Sequence, residues 1–141
     1  MKNLKKIVTL LLVFTMLLTF VACEKDTTAS LWNEALYTTD TSLGEGAKTL
    51  TVLVKCEEKT VAFTINTDKA TVGEALMEHS LVTGDQGDYG LYIKSVNGIK
   101  ADYDTDGAYW AFMQNGEYMM TGVDTTNFES GQSYELVYTK G

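Results

Sequence analysis

The stretch that decides the fold is KTLTVLVKCEEKTVAFTINTDKATVGEALME, residues 48–78. Residues 48–56 and 60–67 alternate apolar and polar side chains, which is typical of strands with one buried face. The short connection EEK joins them as a predicted β-hairpin. A capping box follows, with Thr71 as N-cap and Glu74 three residues later, and it predicts a helix directly after the hairpin. Two strands and then a helix predict an α+β domain.

The remaining chain continues as strands and turns. VTGDQGDYG, residues 82–90, predicts a glycine-rich break, and LYIKSV, residues 91–96, predicts a third strand. Two Asn-Gly pairs, at 97–98 and 115–116, predict tight turns because both residues tolerate positive φ. The second pair would join YWAFMQ to EYMMTG as another hairpin, and residues 133–140 predict a closing strand. This order predicts a ubiquitin-like β-grasp, a mixed sheet of short strands with one packed helix.

The N-terminal segment has the pattern of an export signal. Three lysines (Lys2, Lys5 and Lys6) precede residues 7–22, which carry no charge. This run is shorter than the ~20 residues of a membrane-spanning helix, and it is typical of a secretory signal. The Val-Ala-Cys that ends at Cys23 resembles the lipobox of bacterial lipoproteins, whose cysteine is acylated and becomes the new N-terminus. An ordinary signal followed by a chance cysteine is the alternative.

The chain therefore divides into three predicted segments. Residues 1–22 form the lipoprotein signal peptide, residues 23–46 the lipidated cysteine, a tether and a short cap, and residues 47–141 the domain. Acyl chains on the cysteine would hold the protein to the lipid membrane at its extracytoplasmic face. LWNEALY, residues 31–37, predicts a helical turn in the cap. We expect Trp32 to pack on the domain, and contact with lipid is the alternative.

Charge excludes one class of partner. Without the three lysines of the signal, 8 of the 11 lysines would remain against 19 acidic residues, a net charge of −11, and the chain has no arginine. Phosphate backbones would repel so acidic a chain. We therefore expect no nucleic acid partner.

Few residues suit catalysis. His79 is the only histidine, which excludes a zinc site built on several imidazoles. The sequence has no nucleophile elbow and no phosphate-cradling glycine motif. Cys56 lies on the alternating strand pattern and is predicted to be a small buried residue. We expect that the protein is not an enzyme.

The acidic run DYDTDG begins like a calcium-binding loop. Asp102, Asp104, Asp106 and Gly107 occupy the positions that an EF-hand loop requires first. The position of the bidentate glutamate is taken by Met113, which lies inside a predicted strand, so the run is not an EF-hand. We predict an acidic, solvated connection between strands. A weak, open calcium site that uses the three aspartates is the alternative.

Ordered motifs over residues 31–140 resemble the DUF4430 family, the bacterial lipoprotein members of which are related to the C-terminal domain of transcobalamin and intrinsic factor. The motifs are SVNG at 95–98, Tyr109-Trp110, NGEY at 115–118, GVD at 122–124 and SGQSYELVY at 130–138. One Asn-Gly pair is uninformative, but the ordered set is specific for fold and family.

The resemblance implies a ligand and a site. In transcobalamin-type proteins cobalamin lies between this small domain and a helical barrel. The corresponding surface here comprises Tyr109, Trp110 and the hairpin tip with Tyr118, Met119 and Met120. The resemblance thus implies cobalamin or another corrinoid as ligand. This chain has no helical barrel, so binding would need a partner protein, self-association or a weaker site.

Two functional hypotheses stand beside each other. The first is an envelope lipoprotein that captures a corrinoid or similar small molecule for an envelope transporter. The second is an interaction module that docks another protein or a glycan without a small-molecule ligand. Strand alternation puts Trp110 and Phe112 on one face and Tyr109 and Met113 on the other, so half of this cluster must be structural.

Overall fold

The computed structural model describes residues 29–141. The predicted signal peptide, Cys23 and the first part of the tether lie outside the described residues, and these stay predictions. A helix that is both long enough and apolar enough to span a membrane is not found within residues 29–141.

Strands dominate the described part of the chain, with short helices between them. In chain order the elements are a 3-10 helix Leu31–Glu34, β1 Thr41–Leu43, β2 Lys48–Cys56, β3 Lys59–Thr67, α1 Val72–Glu78, β4 Val82–Gly87, β5 Gly90–Val96, β6 Ile99–Lys100, α2 Tyr103–Asp106, β7 Ala108–Gln114, β8 Glu117–Tyr118, a 3-10 helix Val123–Thr125 and β9 Ser133–Lys140.

Two sheets form from these strands. The larger is mixed and has the order β1-β3-β2-β9-β7-β8, and the smaller is antiparallel with the order β4-β5-β6. β2 and β9 run parallel at the centre of the larger sheet, with Val52 beside Tyr134 and Val54 beside Leu136. The prediction of an α+β domain with a mixed sheet and a packed helix is therefore confirmed.

The core forms as the alternation predicts. Leu50, Val52, Val54 and Cys56 of β2 are all buried, while the residues between them are partly exposed. In α1 the capping box is present, because Thr71 Oγ1 accepts the Glu74 N–H and the Glu74 carboxylate accepts the Thr71 N–H. The buried side of α1, both sheets and the N-terminal 3-10 helix belong to one hydrophobic cluster.

The N-terminal cap packs on the domain, as predicted. Trp32 is buried, its indole Nε1 donates to the Cys56 carbonyl oxygen over 3.0 Å, and the Lys59 ammonium lies 4.8 Å from its ring centroid. Glu57 fixes the start of this segment, because its carboxylate accepts the Leu31 N–H and the Ser30 hydroxyl. Trp32 is thus a structural residue.

Both Asn-Gly pairs form the predicted turns. Asn97 and Gly98 have φ values of 52° and 80°, and Asn115 and Gly116 have 53° and 78°, so each pair holds two successive residues at positive φ. Asn97 has a second role, since its side-chain amide, fully buried, bonds the N–H and the carbonyl of Tyr37.

Two expectations for irregular segments were wrong, and a third segment has more structure than was predicted. The predicted glycine-rich break contains strand β4, whose exposed side chains give no burial pattern and which is held by backbone pairing to β5. The predicted strand EYMMTG is short, because β8 ends at Tyr118. The predicted acidic connection does lie exposed between β6 and β7, and in addition it folds as the one-turn helix α2, with Asp102 as N-cap and Gly107 in the left-handed conformation. Local side-chain capping and backbone pairing decided these segments, and hydrophobic periodicity does not report either of them.

Candidate functional site

The β7–β8 hairpin carries the candidate residues and sorts them by strand alternation. Trp110 and Phe112 of β7 face the core, where Phe112 stacks on Tyr134 at 5.4 Å between ring centroids. Tyr109 lies on the opposite face, and the antiparallel pairing of Met113 with Tyr118 sets β8 beside the end of β7. The hairpin therefore divides the predicted aromatic cluster into a structural half and a surface half.

Trp110 belongs to the structural half. Only 6% of its surface is exposed. Its Nε1 donates to the Ile99 carbonyl oxygen over 3.1 Å, and its ring meets that of Tyr138 edge to face at 5.5 Å. With its hydrogen-bonding capacity satisfied inside the domain, Trp110 has little left to offer a ligand. We correct its assignment from surface residue to core residue.

Tyr109 and Tyr118 form the surface half. Their hydroxyl oxygens lie 3.4 Å apart, and Tyr118 has 61% of its surface exposed. The hydrogen bond to Tyr118 raises the pKa of Tyr109, and burial and the neighbouring charge of Tyr103 act in the same direction. Tyr103, on α2, is exposed as well. We call Tyr103, Tyr109 and Tyr118 together the tyrosine face.

The two methionines after β8 point in different directions. The Met119 N–H donates to the Phe112 carbonyl oxygen, and the Met119 side chain packs against the core. Met120 leaves the sheet with 96% of its surface exposed. Of the predicted methionine pair, only Met120 is thus freely available to a binding partner.

A second exposed residue lies near this tip that sequence reasoning did not single out. Tyr89, at the turn between β4 and β5, is 98% exposed. Asp124 holds that turn against the segment after β8, since its carboxylate accepts the Leu91 N–H and the Gln86 amide. Burial opposes the ionisation of Asp124, but these hydrogen bonds outweigh it and lower its pKa. No pattern in the sequence indicates this position of Tyr89, because only the tertiary fold brings residues 89 and 120–124 together.

The three aspartates of the acidic run do not gather around a common point. Asp102 Oδ1 accepts the Asp104 N–H, and Asp106 Oδ2 accepts the Asp102 N–H, so two carboxylates are used to cap α2. Across the described residues, no group of three or more His, Cys, Asp or Glu side chains is arranged to hold a metal ion. The alternative of a weak, open calcium site at these aspartates stays a prediction.

Cys56 is buried in the fold, and His79 is partly buried. Burial raises the pKa of the Cys56 thiol to about 11, with a further contribution from the charge of Glu57, so the thiol is protonated at neutral pH. The side chain of His79 lies against the Gly44 loop, and its Nε2 has no hydrogen-bond partner among residues 29–141. Neither residue lies beside the tyrosine face.

A cleft of about 740 Å³ opens at the other end of the large sheet, and none of the five predicted site residues lines it. Its walls come from the N-terminal 3-10 helix, the β2–β3 turn, β6, α2 and the end of β9. The tyrosine face is therefore an exposed surface rather than part of this cavity.

Comparison with known proteins now decides the family. The family model described as "Domain of unknown function (DUF4430)" matches residues 69–140. The chain belongs to the DUF4430 family. The match spans α1, the small sheet, the β7–β8 hairpin and β9, and thus includes the tyrosine face. No curated protein matches the chain in sequence.

Solved structures that share the fold of this DUF4430 chain include two that differ in how much of their own length is matched. One is the crystal structure of a "putative metal binding protein" from Ruminococcus gnavus ATCC 29149, with 33% identity and a TM-score of 0.63 over 67% of this chain and 99% of that one. The other is haptocorrin in complex with Cbi, with 16% identity and a TM-score of 0.56 over 70% of this chain. The matched region is 26% of haptocorrin, so the chain corresponds to about a quarter of that protein. These likenesses show that the domain shares its fold with both structures.

Proposed function

We propose that this protein is a membrane-anchored, extracytoplasmic lipoprotein whose domain binds a corrinoid or a similar small molecule. The anchor rests on the signal pattern of residues 1–22 and on Cys23. With lipid on Cys23, the domain would stand on the extracytoplasmic face of the membrane and pass its ligand to an envelope transporter. We assign no catalytic role to it.

One observation carries the ligand-binding proposal: large aromatic side chains occupy the outer face of β7 and β8, where the fold does not need them. Tyr109 and Tyr118 contact each other through their hydroxyls and leave Tyr118 mostly exposed. Tyrosine can cover a flat, partly apolar ring and still donate a hydrogen bond. A row of such residues fits one side of a large planar ligand.

The corrinoid class follows from the family relation. Haptocorrin has this fold and is seen in complex with Cbi, and the tyrosine face lies within residues 69–140, which the DUF4430 family model matches. The tyrosine face supplies only one side of a cage. A partner protein or a second copy of the chain would supply the other, in place of the helical barrel.

The order of strands in the larger sheet also supports a ligand surface on the β7–β8 hairpin. We interpret the larger sheet as a ubiquitin-like β-grasp because the first strand of the β2–β3 hairpin runs parallel to the closing strand β9. The helix α1 follows the hairpin, and β7 flanks β9 on its other side. This arrangement leaves the β7–β8 hairpin at the margin of the sheet, where a ligand can approach it.

The proposal is tested by titrating the full chain with cobalamin and with cobinamide under calorimetry. We expect saturable binding that Tyr118→Ala weakens at least tenfold, or about 1.4 kcal/mol. Tyr92→Ala is the matched control, because Tyr92 is also an exposed tyrosine but lies on the small sheet. Trp110→Ala is unsuitable, since it would remove a core residue. Equal loss in the Tyr118 and Tyr92 variants would contradict the site.

The second candidate function is an interaction module for another protein or a glycan. The exposure of Tyr89 and Met120 on neighbouring loops favours it, because tyrosine and methionine are enriched at protein interfaces. Two results together would support this function over the first. The chain would not bind corrinoid at high micromolar ligand, and it would capture an envelope protein that the Tyr118→Ala variant fails to capture.

A further inference from the structure

The cleft at the far end of the large sheet is lined by none of the three residues of the tyrosine face, although Tyr103 shares α2 with the lining residue Asp106. The parallel strands β2 and β9 both end there, and the turn between β7 and β8 lies at the opposite end of the sheet. Its volume of about 740 Å³ lies within the ~300–1,000 Å³ of small-molecule sites. The cleft is therefore large enough to hold a small molecule.

Two lysines contribute cationic groups to the cleft. Lys100 comes from the end of β6 and Lys140 from the end of β9. Neither forms a salt bridge with a described residue, whereas Lys55 is paired with Glu135 and Lys94 with Asp85. In a domain with a large excess of acidic residues, two lysines without ion pairs in one cleft are available to an anionic group.

Three carboxylates line the same cleft, and they differ in how many hydrogen bonds they already accept within the domain. Glu57 accepts two hydrogen bonds, from the Leu31 N–H and the Ser30 hydroxyl, and these lower its pKa. Asp106 uses one oxygen on the backbone of α2. Glu34, on the 3-10 helix, forms no salt bridge with a described residue and is exposed. Glu34 is thus the carboxylate best placed to receive a cation.

Tyr138 also lines the cleft and adds a polar hydroxyl group to it. Its ring packs edge to face on Trp110 at 5.5 Å, which fixes its position. Burial raises its pKa, and the charges of Asp106 and Glu57 contribute, as does Cys56. A protonated hydroxyl on a rigid ring can donate to a ligand carboxylate or accept from an ammonium group.

We propose that this cleft binds a small zwitterion that carries both a carboxylate and an ammonium group, of the free amino acid or short peptide class. A purely anionic ligand would meet Glu34, Glu57 and Asp106, and a purely cationic ligand would meet both lysines. A molecule with separated charges satisfies both sets, with its carboxylate at Lys100 and Lys140 and its ammonium group at Glu34.

The test is calorimetric titration of the full chain with trialanine, with N-acetyl-trialanine and with trialanine amide. We expect trialanine to bind saturably at millimolar concentration or below. Each capped peptide should bind about tenfold more weakly, the effect of one charge-assisted hydrogen bond. Lys140→Gln should weaken the binding of trialanine by a similar factor. In this variant trialanine and trialanine amide should bind with equal affinity. In the Glu34→Gln variant, trialanine and N-acetyl-trialanine should bind with equal affinity.

Matched controls come from charged residues remote from the cleft. Lys69→Gln and Glu129→Gln remove the same charges from exposed loops before α1 and before β9, and they should leave trialanine binding unchanged. Lys100→Gln serves in place of Lys140→Gln if the latter does not fold. The proposal is overturned if trialanine does not bind, if the three peptides bind equally, or if the controls weaken binding as much as the cleft variants do. Corrinoid binding at the tyrosine face is measured separately, so the two sites fail independently.

Discussion

The β2–β3 and β7–β8 hairpins both bury one face by strand alternation, but their outer faces differ in composition. In both, alternate side chains enter the core. The outer face of β2 and β3 carries four threonines together with Leu53, Lys55, Ala62 and Asn66, whereas the outer face of β7 and β8 carries Tyr109, Met113 and Tyr118. A strand needs only a residue that tolerates water on its outer face. The tyrosines of the second hairpin exceed that need, which is why we place the ligand surface there.

The largest expected effect lies in the core of the first hairpin. Phe63 is fully buried in β3 and meets Tyr37 edge to face at 5.7 Å. We expect Phe63→Ala to lower the free energy of unfolding by about 3–5 kcal/mol, because it removes apolar contacts and leaves a cavity. Chemical denaturation followed by circular dichroism measures this. Thr64→Ala, on the outer face, is the control and should change stability by less than about 0.5 kcal/mol.

A smaller effect is expected at the turn of the second hairpin. Gly116 has a φ of 78°, and a Cβ there would meet no atom within 4 Å. We expect Gly116→Ala to cost about 1 kcal/mol of stability, from backbone conformation alone. The turn of the first hairpin already holds a side chain at positive φ, Glu57, whose carboxylate bonds the N-terminal cap. If Gly116→Ala were neutral while Glu117→Ala was destabilising, side-chain contacts would matter more than this φ value.

The tyrosine face should contribute little to stability. We expect Tyr118→Ala to change the free energy of unfolding by no more than about 0.5 kcal/mol, because its side chain is mostly exposed. The same denaturation experiment measures it. A loss above about 2 kcal/mol would show that Tyr118 supports the fold, and the contrast between the two hairpins would disappear.

The smallest expected effect is electronic. Since the hydrogen bond to Tyr118 favours the protonated form of Tyr109 and raises its pKa, we expect Tyr118→Phe to lower the pKa of Tyr109 toward its ordinary value. NMR titration with ¹³Cζ-labelled tyrosine measures the shift, and Tyr109→Phe assigns the resonance. An unchanged or higher pKa in the Tyr118→Phe protein would mean that the two hydroxyls do not interact in solution.

Periodicity predicted the regular half of the fold well. The limits of β2 and β9 and the capping box of α1 follow directly from local residue patterns, and so do both Asn-Gly turns. It failed where burial is not periodic. β4 exposes nearly all its side chains and is defined by its pairing to β5, so its residues were predicted to form a break.

The candidate site was predictable in part for the same reason. Alternation showed that Tyr109 and Trp110 must face opposite sides of β7, but which side meets the core depends on the neighbouring strands. Tyr89 and the cleft could not be predicted, because residues distant in sequence compose them. Asp124 joins the Tyr89 turn to the hairpin exit, and Lys100 and Lys140 meet only because β6 and β9 end at one place.

By itself the sequence determined the α+β class, the hairpin-helix order, the turns and the family, because these depend on local patterns and motif order. The tertiary structure alone decided which aromatic side chains are free. Trp110 and Trp32 satisfy their indole N–H groups on backbone carbonyls within the domain, while the hydroxyl groups of Tyr109 and Tyr118 lie within hydrogen-bonding distance of each other at the surface. Exposure results from what packs against a residue, and packing partners distant in the chain are set only when the sheet closes.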